Sequence, residues 1–365
     1  MKNTNVTDKS KELIPIINTH LEEKMNLARI KLIALFICAL CKVQTVNFSK
    51  LSTAFVSPAQ SSSSLRRIQR FISSFSLDPD LITKLIFAIL PIKTNLKLSI
   101  DRTNWQFGNF DINIFMLGIV YQGIAFPLLF TMLPKRGNSN SQERIDLLNR
   151  FINLFGKDVI DCVLADREFV GDKWMMYLNN QNIPYYIRIR NNFKVFVPDK
   201  QKEIKAYWLF NALKINEFKV YHKIVKIGSQ LCYISGSKIK GKDGKADFLI
   251  LISYNKPQKA QKEYKLRWQI ESCFKAMKSS GFNIEETHLK STKRIEKLLL
   301  LVMIAFVWAY KTGIYLDKYV KKINIKKHGR RAISIFKYGL QFIANTLLNP
   351  LLVSDINICQ FLSCT

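Results

Sequence analysis

INIFMLGIVYQGIAFPLLFTML, residues 112–133, carries no charge over 22 positions, enough apolar length to cross a bilayer as one helix. Its internal punctuation argues for a different structure. Tyr121-Gln122-Gly123 is a turn signal at the midpoint, and Pro127 follows it. Ile, Val and Phe enrichment on both sides then describes two buried strands joined by a tight hairpin. Working outward, strand-like runs recur at 96–103, 112–121, 124–131, 159–165 and 184–190, with helical segments at 141–155 and 171–180. The Gly-Asn-Ser-Asn-Ser loop before residue 141 can supply an N-cap. The order β-β-β-α-β-α-β predicts an α/β domain on a mixed sheet.

The flanks have a different texture. Residues 1–92 show helical periodicity in KELIPIINTHLEEKM, NLARIKLIALFICALCK and DLITKLIFAIL. Between these lie a short helix near Phe48–Phe55, a turn with a proline, and a Ser-capped helix from about Ser62. That pair is expected to form a helix-turn-helix, with Arg66, Arg67 and Arg70 where a recognition helix meets DNA. An ordinary solvated basic face is the other reading. Residues 185–255 form a β-rich block, and 185–250 hold 14 Lys and Arg against 5 Asp and Glu. After Pro257 one long helix is expected to about Ser279, closed by Gly281 as a C-cap. The expected division is thus 1–92 helical, 93–184 first part of the core, 185–255 insertion, 256–290 core helix and 291–365 helical. Within the last segment, 311–331 carries eight Lys and Arg against Asp317.

Composition bounds what such a chain does. Its 365 residues are 48% hydrophobic and 23% charged, which excludes a disordered tail. Lys and Arg number 56 against 27 Asp and Glu, a net charge of +29, which points to a polyanionic partner, nucleic acid or an acidic membrane. Seven scattered cysteines suit reduced thiols in a cytosolic protein. Cys38 and Cys41 form a lone C-x-x-C in an apolar helical run, short of the four ligands of a zinc site. The polar start MKNTNVTDKSKE has no apolar core of a secretory signal. The apolar run 298–310 is too short to span and lies between Lys297 and Lys311, so a soluble, cytoplasmic, nucleoid-associated protein is expected, with no membrane partner. His20, His222, His288 and His328 join no motif, and Ser61–Ser64 have no accompanying His or Asp pattern.

Three acids occupy special places. Asp101 ends the strand LKLSI, Asp166 ends VIDCVLA, and Glu271 lies mid-helix in KEYKLRWQIESCFKAMKSSGF. Acids at the ends of adjacent buried strands face the edge where open α/β sheets place their sites. Like charges brought together there call for a cation, and hard oxygen ligands suit Mg²⁺ or Mn²⁺, two of which serve in-line attack at a phosphodiester. A turn-capping Asp and a solvated Glu are the plainer readings of each residue alone. Tyr264, Arg267, Glu271 and Lys278 fall within an arc of about 60° at ~100° per residue, presenting a phenol, a guanidinium, a carboxylate and an ammonium together.

Tyr264-x2-Arg267-x3-Glu271-x6-Lys278 resembles the signature of DDE transposases of the insertion-sequence-four family. IDRTNWQFG around Asp101, LADREFVG around Asp166 and the intervening LPKRGNSNSQERIDLL resemble the same family, so the likeness covers about 95–290. The resemblance implies a ribonuclease-H-like catalytic core with a β-rich insertion, flanked by helical N-terminal and C-terminal regions. It implies Asp101, Asp166 and Glu271 as catalytic, metal-binding residues for two Mg²⁺ or Mn²⁺ ions. Tyr264, Arg267 and Lys278 would hold DNA phosphates. Some relatives stack an insertion-domain Trp on a flipped base. Trp208, the only Trp in the insertion, is the candidate here, and a buried strand aromatic is its other reading. The implied activity is cut-and-paste transposition on double-stranded DNA, transposon ends and target, by a homodimer in the synaptic complex, with the helices after residue 290 as dimer contacts. Two alternatives stay open: a metal-dependent nuclease on the same fold, and a non-catalytic DNA-binding protein derived from such an element.

Overall fold

The computed structural model describes residues 9–241, 244–327, 329–349 and 356–363. The stretch before Lys9, His328 and Cys364 therefore lie outside the described residues. Five helices open the chain: α1 Lys9–Leu21, α2 Leu27–Val43, α3 Phe48–Thr53, α4 Ser61–Ser74 and α5 Pro79–Ile89. A three-stranded meander follows, β1 Leu96–Phe107, β2 Phe110–Tyr121 and β3 Ile124–Met132, then α6 Ser141–Phe155, β4 Ile160–Ala165, α7 Asp172–Asn180 and β5 Tyr185–Ile189. Six further strands come next: β6 Lys194–Val197, β7 Lys202–Lys205, β8 Phe218–Val220, β9 Val225–Ile227, β10 Gln230–Lys240 and β11 Ala246–Ser253. The chain closes with α8 Ala260–Lys265, α9 Gln269–Lys278, α10 Thr292–Tyr315 and α11 Ile335–Leu348.

The chain divides into two compact units. One takes everything up to Pro91, Trp105–Ile112 and everything from Cys273; the other takes Ile92–Asn104 and Asn113–Ser272. The two helical flanks, separate in sequence, thus share a unit.

In the second unit the core order is β3-β2-β1-β4-β5, with β2 and β3 antiparallel and β1, β4 and β5 parallel. A meander followed by two α-connected parallel strands is the ribonuclease-H-like arrangement. The 112–133 stretch is the expected hairpin. Gln122 and Gly123 both have positive φ, 47° and 94°, as a two-residue type I′ turn requires. Pro127 is tolerated because β3 is the edge strand, next to a register shift at Leu117/Gly118. Asn140 and Glu143 make a reciprocal capping box at the start of α6. The insertion does not stand apart from this sheet. β5, which opens it in the sequence reading, pairs with β4, and β11 returns to pair antiparallel with β5, so the sheet continues through β10.

The long helix expected after Pro257 is instead two helices, because Leu266–Trp268 tightens into a 3₁₀ turn between α8 and α9. Gly281 is not a left-handed C-cap either. Its φ is not positive, and a Cβ there would meet the Ala276 carbonyl at 2.4 Å and the Phe336 ring at 2.5 Å, so close packing demands the glycine.

In the helical unit α10 runs well beyond the 298–310 core of the run. It is long and apolar enough to cross a membrane, yet 83% of its most apolar window is buried in the protein. Lys297 donates to the Phe71 and Phe75 carbonyls and Lys311 to the Ile89 carbonyl, so the two charges that bracket the 298–310 run within the helix are satisfied. It packs on α11 through Gly313 and Gly339, where a Cβ on Gly339 would lie 1.9 Å from the Ala309 carbonyl. The short-helix, turn, longer-helix pair is present as α3 and α4, but α3 is capped by Asn47, and Gln60 precedes α4 with no side-chain cap, so the Ser cap is absent. Cys38 and Cys41 are both buried and in no disulfide, and burial pushes the Cys41 thiol far up, as for inert core cysteines.

Candidate active site

Register brings the two strand-end acids level. β1 and β4 are parallel neighbours with Leu98 opposite Val163 and Ser99 opposite Leu164. Two residues further on, Asp101 and Asp166 come side by side, strands being ~4.8 Å apart. Each carboxylate takes the next backbone N–H: Asp101 from Arg102 at 2.8 Å, Asp166 from Arg167 at 2.7 Å. The latter bond caps the 3₁₀ turn Arg167–Phe169 that ends β4.

The α8–α9 segment supplies the rest. The buried Ser99 hydroxyl on β1 donates to the Arg267 carbonyl at 3.2 Å, fixing the 3₁₀ turn against the sheet. The Tyr264 hydroxyl donates to Asp166 at 3.2 Å. The Arg267 guanidinium, only 4% exposed, then meets all three acids: Asp101 at 3.1 Å, Glu271 at 2.8 Å and Asp166 at 3.8 Å. Carboxylates 65 and 105 positions apart in the chain therefore converge on one positive centre. Burial drives the Asp101 carboxyl up to about 6, with Arg267 and the Arg102 N–H opposing and Glu168 and Glu271 adding to the rise. Burial also lifts the Tyr264 hydroxyl to about 12, keeping it a neutral donor. For Arg267, burial works against the charge, yet Tyr264, Asp166, Asp101 and Glu271 hold the guanidinium protonated above its ordinary range.

The other nearby acids are engaged elsewhere. Glu263 pairs with Lys97, Glu285 with Lys278 at 2.7 Å, and Glu286 accepts from Thr45 at 3.1 Å. Glu168, two residues past Asp166, receives a two-pronged bond from Arg102, at 3.0 and 3.3 Å. Arg102 reaches on to Asn113 at 3.1 Å and Asn138 at 2.8 Å, while Asn113 donates to the Lys135 and Gly137 carbonyls. Arg144 on α6 closes the network on the Glu168 carbonyl and on Ser139. The segments that present Asp101 and Asp166 are thus tied by one polar lattice.

The remaining sequence candidates separate from this cluster. Lys278, in the last turn of α9, pairs with Glu285 and stands 5.3 Å from the Trp105 ring. Arg66 and Arg70 are exposed on α4 and Arg67 is half-buried. Trp208 is not a buried strand aromatic; it sits 53% exposed in a 3₁₀ turn of the insertion, edge-on to Tyr207. Sequence reasoning gave no role to Arg102, to Glu168 beyond a stand-in should one of the three acids be misassigned, or to Asn113, Asn138 and Trp268. The first two directly follow or closely flank the acids in Asp-Arg-Thr and Asp-Arg-Glu, and that adjacency was the available signal. Trp268 is 62% exposed beside Arg267, its ring 5.6 Å from the guanidinium. Among the described residues no three His, Cys, Asp or Glu side chains form a ready-made metal cage, and in the acid cluster the shared positive centre is Arg267.

A solved structure, the cryo-EM structure of the piggyBac transposase synaptic complex with hairpin DNA, aligns with 96% of this chain and 80% of that chain at 11% identity and a TM-score of 0.47. No curated protein matches. The family model described as the transposase DDE domain matches residues 96–308, which run from the first strand of the core through the acid site into α10 and make up more than half of the sequence; the chain belongs to that family.

Proposed function

We propose that the protein is a cut-and-paste DNA transposase of the insertion-sequence-four type, with Asp101, Asp166 and Glu271 as its catalytic acids. The observation that carries this is the meeting of those three carboxylates on Arg267, in a chain of net charge +29. The donor set fits Mg²⁺ or Mn²⁺: three carboxylates, with neither thiolate nor imidazole among them. Asp101, Asp166 and Glu271 would together hold the ions. Such ions supply Lewis acidity and an activated water for phosphodiester hydrolysis.

The chain's own residues do the positioning. Tyr264 orients the Asp166 carboxylate through its hydroxyl, and the Arg102–Glu168 pair holds the two strand ends in register. Arg267 and Lys278 offer a forked and a point-like cation to DNA phosphates. Trp268, and Trp208 in the insertion, present exposed rings on which a base can stack. Arg66, Arg67 and Arg70 on α4 would grip the terminal DNA, mostly through phosphates. The 3′-hydroxyl freed at the transposon end would next attack the opposite strand or the target. Two protomers would assemble on double-stranded DNA, end and target, with residues after 290 at the contact; Tyr319, Val320, Ile325 and Leu348 are exposed there. Cytoplasmic action at the nucleoid, without a membrane partner, completes the reading.

A strand-transfer assay with pre-cleaved end DNA and a supercoiled target tests it. Joined product is expected. Nicks without joining would identify a nuclease, and neither product would leave a non-catalytic DNA-binding protein.

A further inference from the structure

The buried position of Arg267 has a consequence for cation binding that rests on the proposed reading of the acid site. Three carboxylates against one guanidinium leave a formal charge of −2, so the DNA-free cluster already carries an internal counter-charge. A divalent ion placed among the same oxygens would stand at contact distance from that guanidinium, and the two would repel strongly in a poorly solvated site.

The guanidinium is held but not saturated. Its two terminal nitrogens serve the acids, while Nε, also buried, has no hydrogen-bond partner. Its backbone is fixed separately by Ser99, so the side chain can rotate without moving α9. The neighbouring Trp268 ring, within 5.6 Å, is largely exposed, which puts the solvent face of the site on that side. A DNA phosphate offers the planar fork a two-pronged partner of full negative charge, which the acids, competing for one group, do not.

We infer that Arg267 is the built-in counter-cation of the acid site, and that a DNA phosphate must draw it away before the three carboxylates bind divalent cations tightly. Cation binding and DNA binding are then positively coupled, and by reciprocity each tightens the other. The transposase would thereby keep its acids from assembling a hydrolytic centre until DNA is seated.

The test is Mn²⁺ binding to the full-length protein, read as free Mn²⁺ by electron paramagnetic resonance, with Asp101→Asn as the blank for ions bound elsewhere. Without DNA, Arg267→Gln is expected to bind Mn²⁺ about ten-fold more tightly than wild type. Arg267→Lys, which keeps the charge, is expected to stay near wild type. With end DNA present, wild type is expected to gain a similar factor after subtraction of the blank. Unchanged or weaker Mn²⁺ binding by Arg267→Gln overturns the inference. Should that variant fold poorly by circular dichroism, absence of tightening in wild type on adding DNA overturns it as well. If Asp101→Asn binds as much Mn²⁺ as wild type both with and without DNA, the acid site itself has been misassigned.

Discussion

The two ends of the β1–β4 strand pair are both charged, and they are built to different rules. At the start, Lys97 of β1 meets Asp161 of β4 at 3.5 Å and pairs closely with Glu263 of α8. At the far end, Arg267 meets Asp101, Asp166 and Glu271. The first cluster sets two acids on one ammonium, and Glu263 holds the Lys97 charge above its ordinary range against the pull of burial. The second crowds three acids around one guanidinium, and burial leaves Asp101 reluctant to ionise. Near-balanced charge that ties a helix to a sheet is a fold device. Surplus negative charge at a strand edge is the mark of a site that expects another cation.

Substitution separates the two ends most sharply. Asp101→Asn, Asp166→Asn or Glu271→Gln should each lower end cleavage by about a thousand-fold or more, with end binding in a gel-shift assay largely kept. Glu263→Gln should leave the single-turnover cleavage rate within a few-fold of wild type. A loss of cleavage at Glu263, or its survival in any of the three, would break the contrast. A middle-sized effect belongs to the pair that holds the far end in place. Arg102→Ala and Glu168→Ala should each reduce cleavage by about 10–100-fold, the scale of outer-shell partners of metal ligands. The double variant should be little worse than either single one, because both remove the same two-pronged bond. Additive losses would show that the two residues act separately.

Stability offers the next distinction. Lys97→Met strands Glu263 and should cost about 1–2 kcal/mol in urea unfolding while sparing cleavage. The acid site behaves in the opposite sense with pH. Because the folded-state Asp101 carboxyl lies at about 6, above the 3.8 of an unburied one, the folded chain holds its proton more tightly. Its contribution to stability is fully present below about pH 4 and is lost as pH rises through 6. Thermal unfolding of the DNA-free protein should show wild type losing stability relative to Asp101→Asn across that window; a flat difference would contradict it. The smallest effect lies on α4: Arg66→Ala or Arg70→Ala should reduce the slope of log affinity against log salt by about 1 each.

The core and its acids were legible because their signals are local or periodic. The hairpin at 112–133, the α6 cap and the strand-end aspartates follow from turn chemistry and continuous apolar runs. The common face of Tyr264, Arg267 and Glu271 came through as a spacing and survives the 3₁₀ turn between α8 and α9. The meeting of the three acids on Arg267 did not, since the spacing offered that guanidinium to DNA phosphates. That turn was hidden, because it depends on Ser99 gripping the Arg267 carbonyl from a strand 168 residues away. Gly281 was misread for a similar reason: the ring of Phe336 that excludes a Cβ is distant in the chain. The Arg102–Glu168 network was overlooked, since its partners Asn113, Asn138 and Arg144 come from three segments that sequence alone does not bring together.

The most direct measurement is the structure of the protein with Mn²⁺ and cleaved end DNA, with the ions located by anomalous scattering. The account predicts manganese peaks bonded to the carboxylate oxygens of Asp101, Asp166 and Glu271, and the Arg267 guanidinium turned to a phosphate. Manganese bound instead at Glu168, Glu263 or any other acid, with the three carboxylates still closed on Arg267, would contradict it.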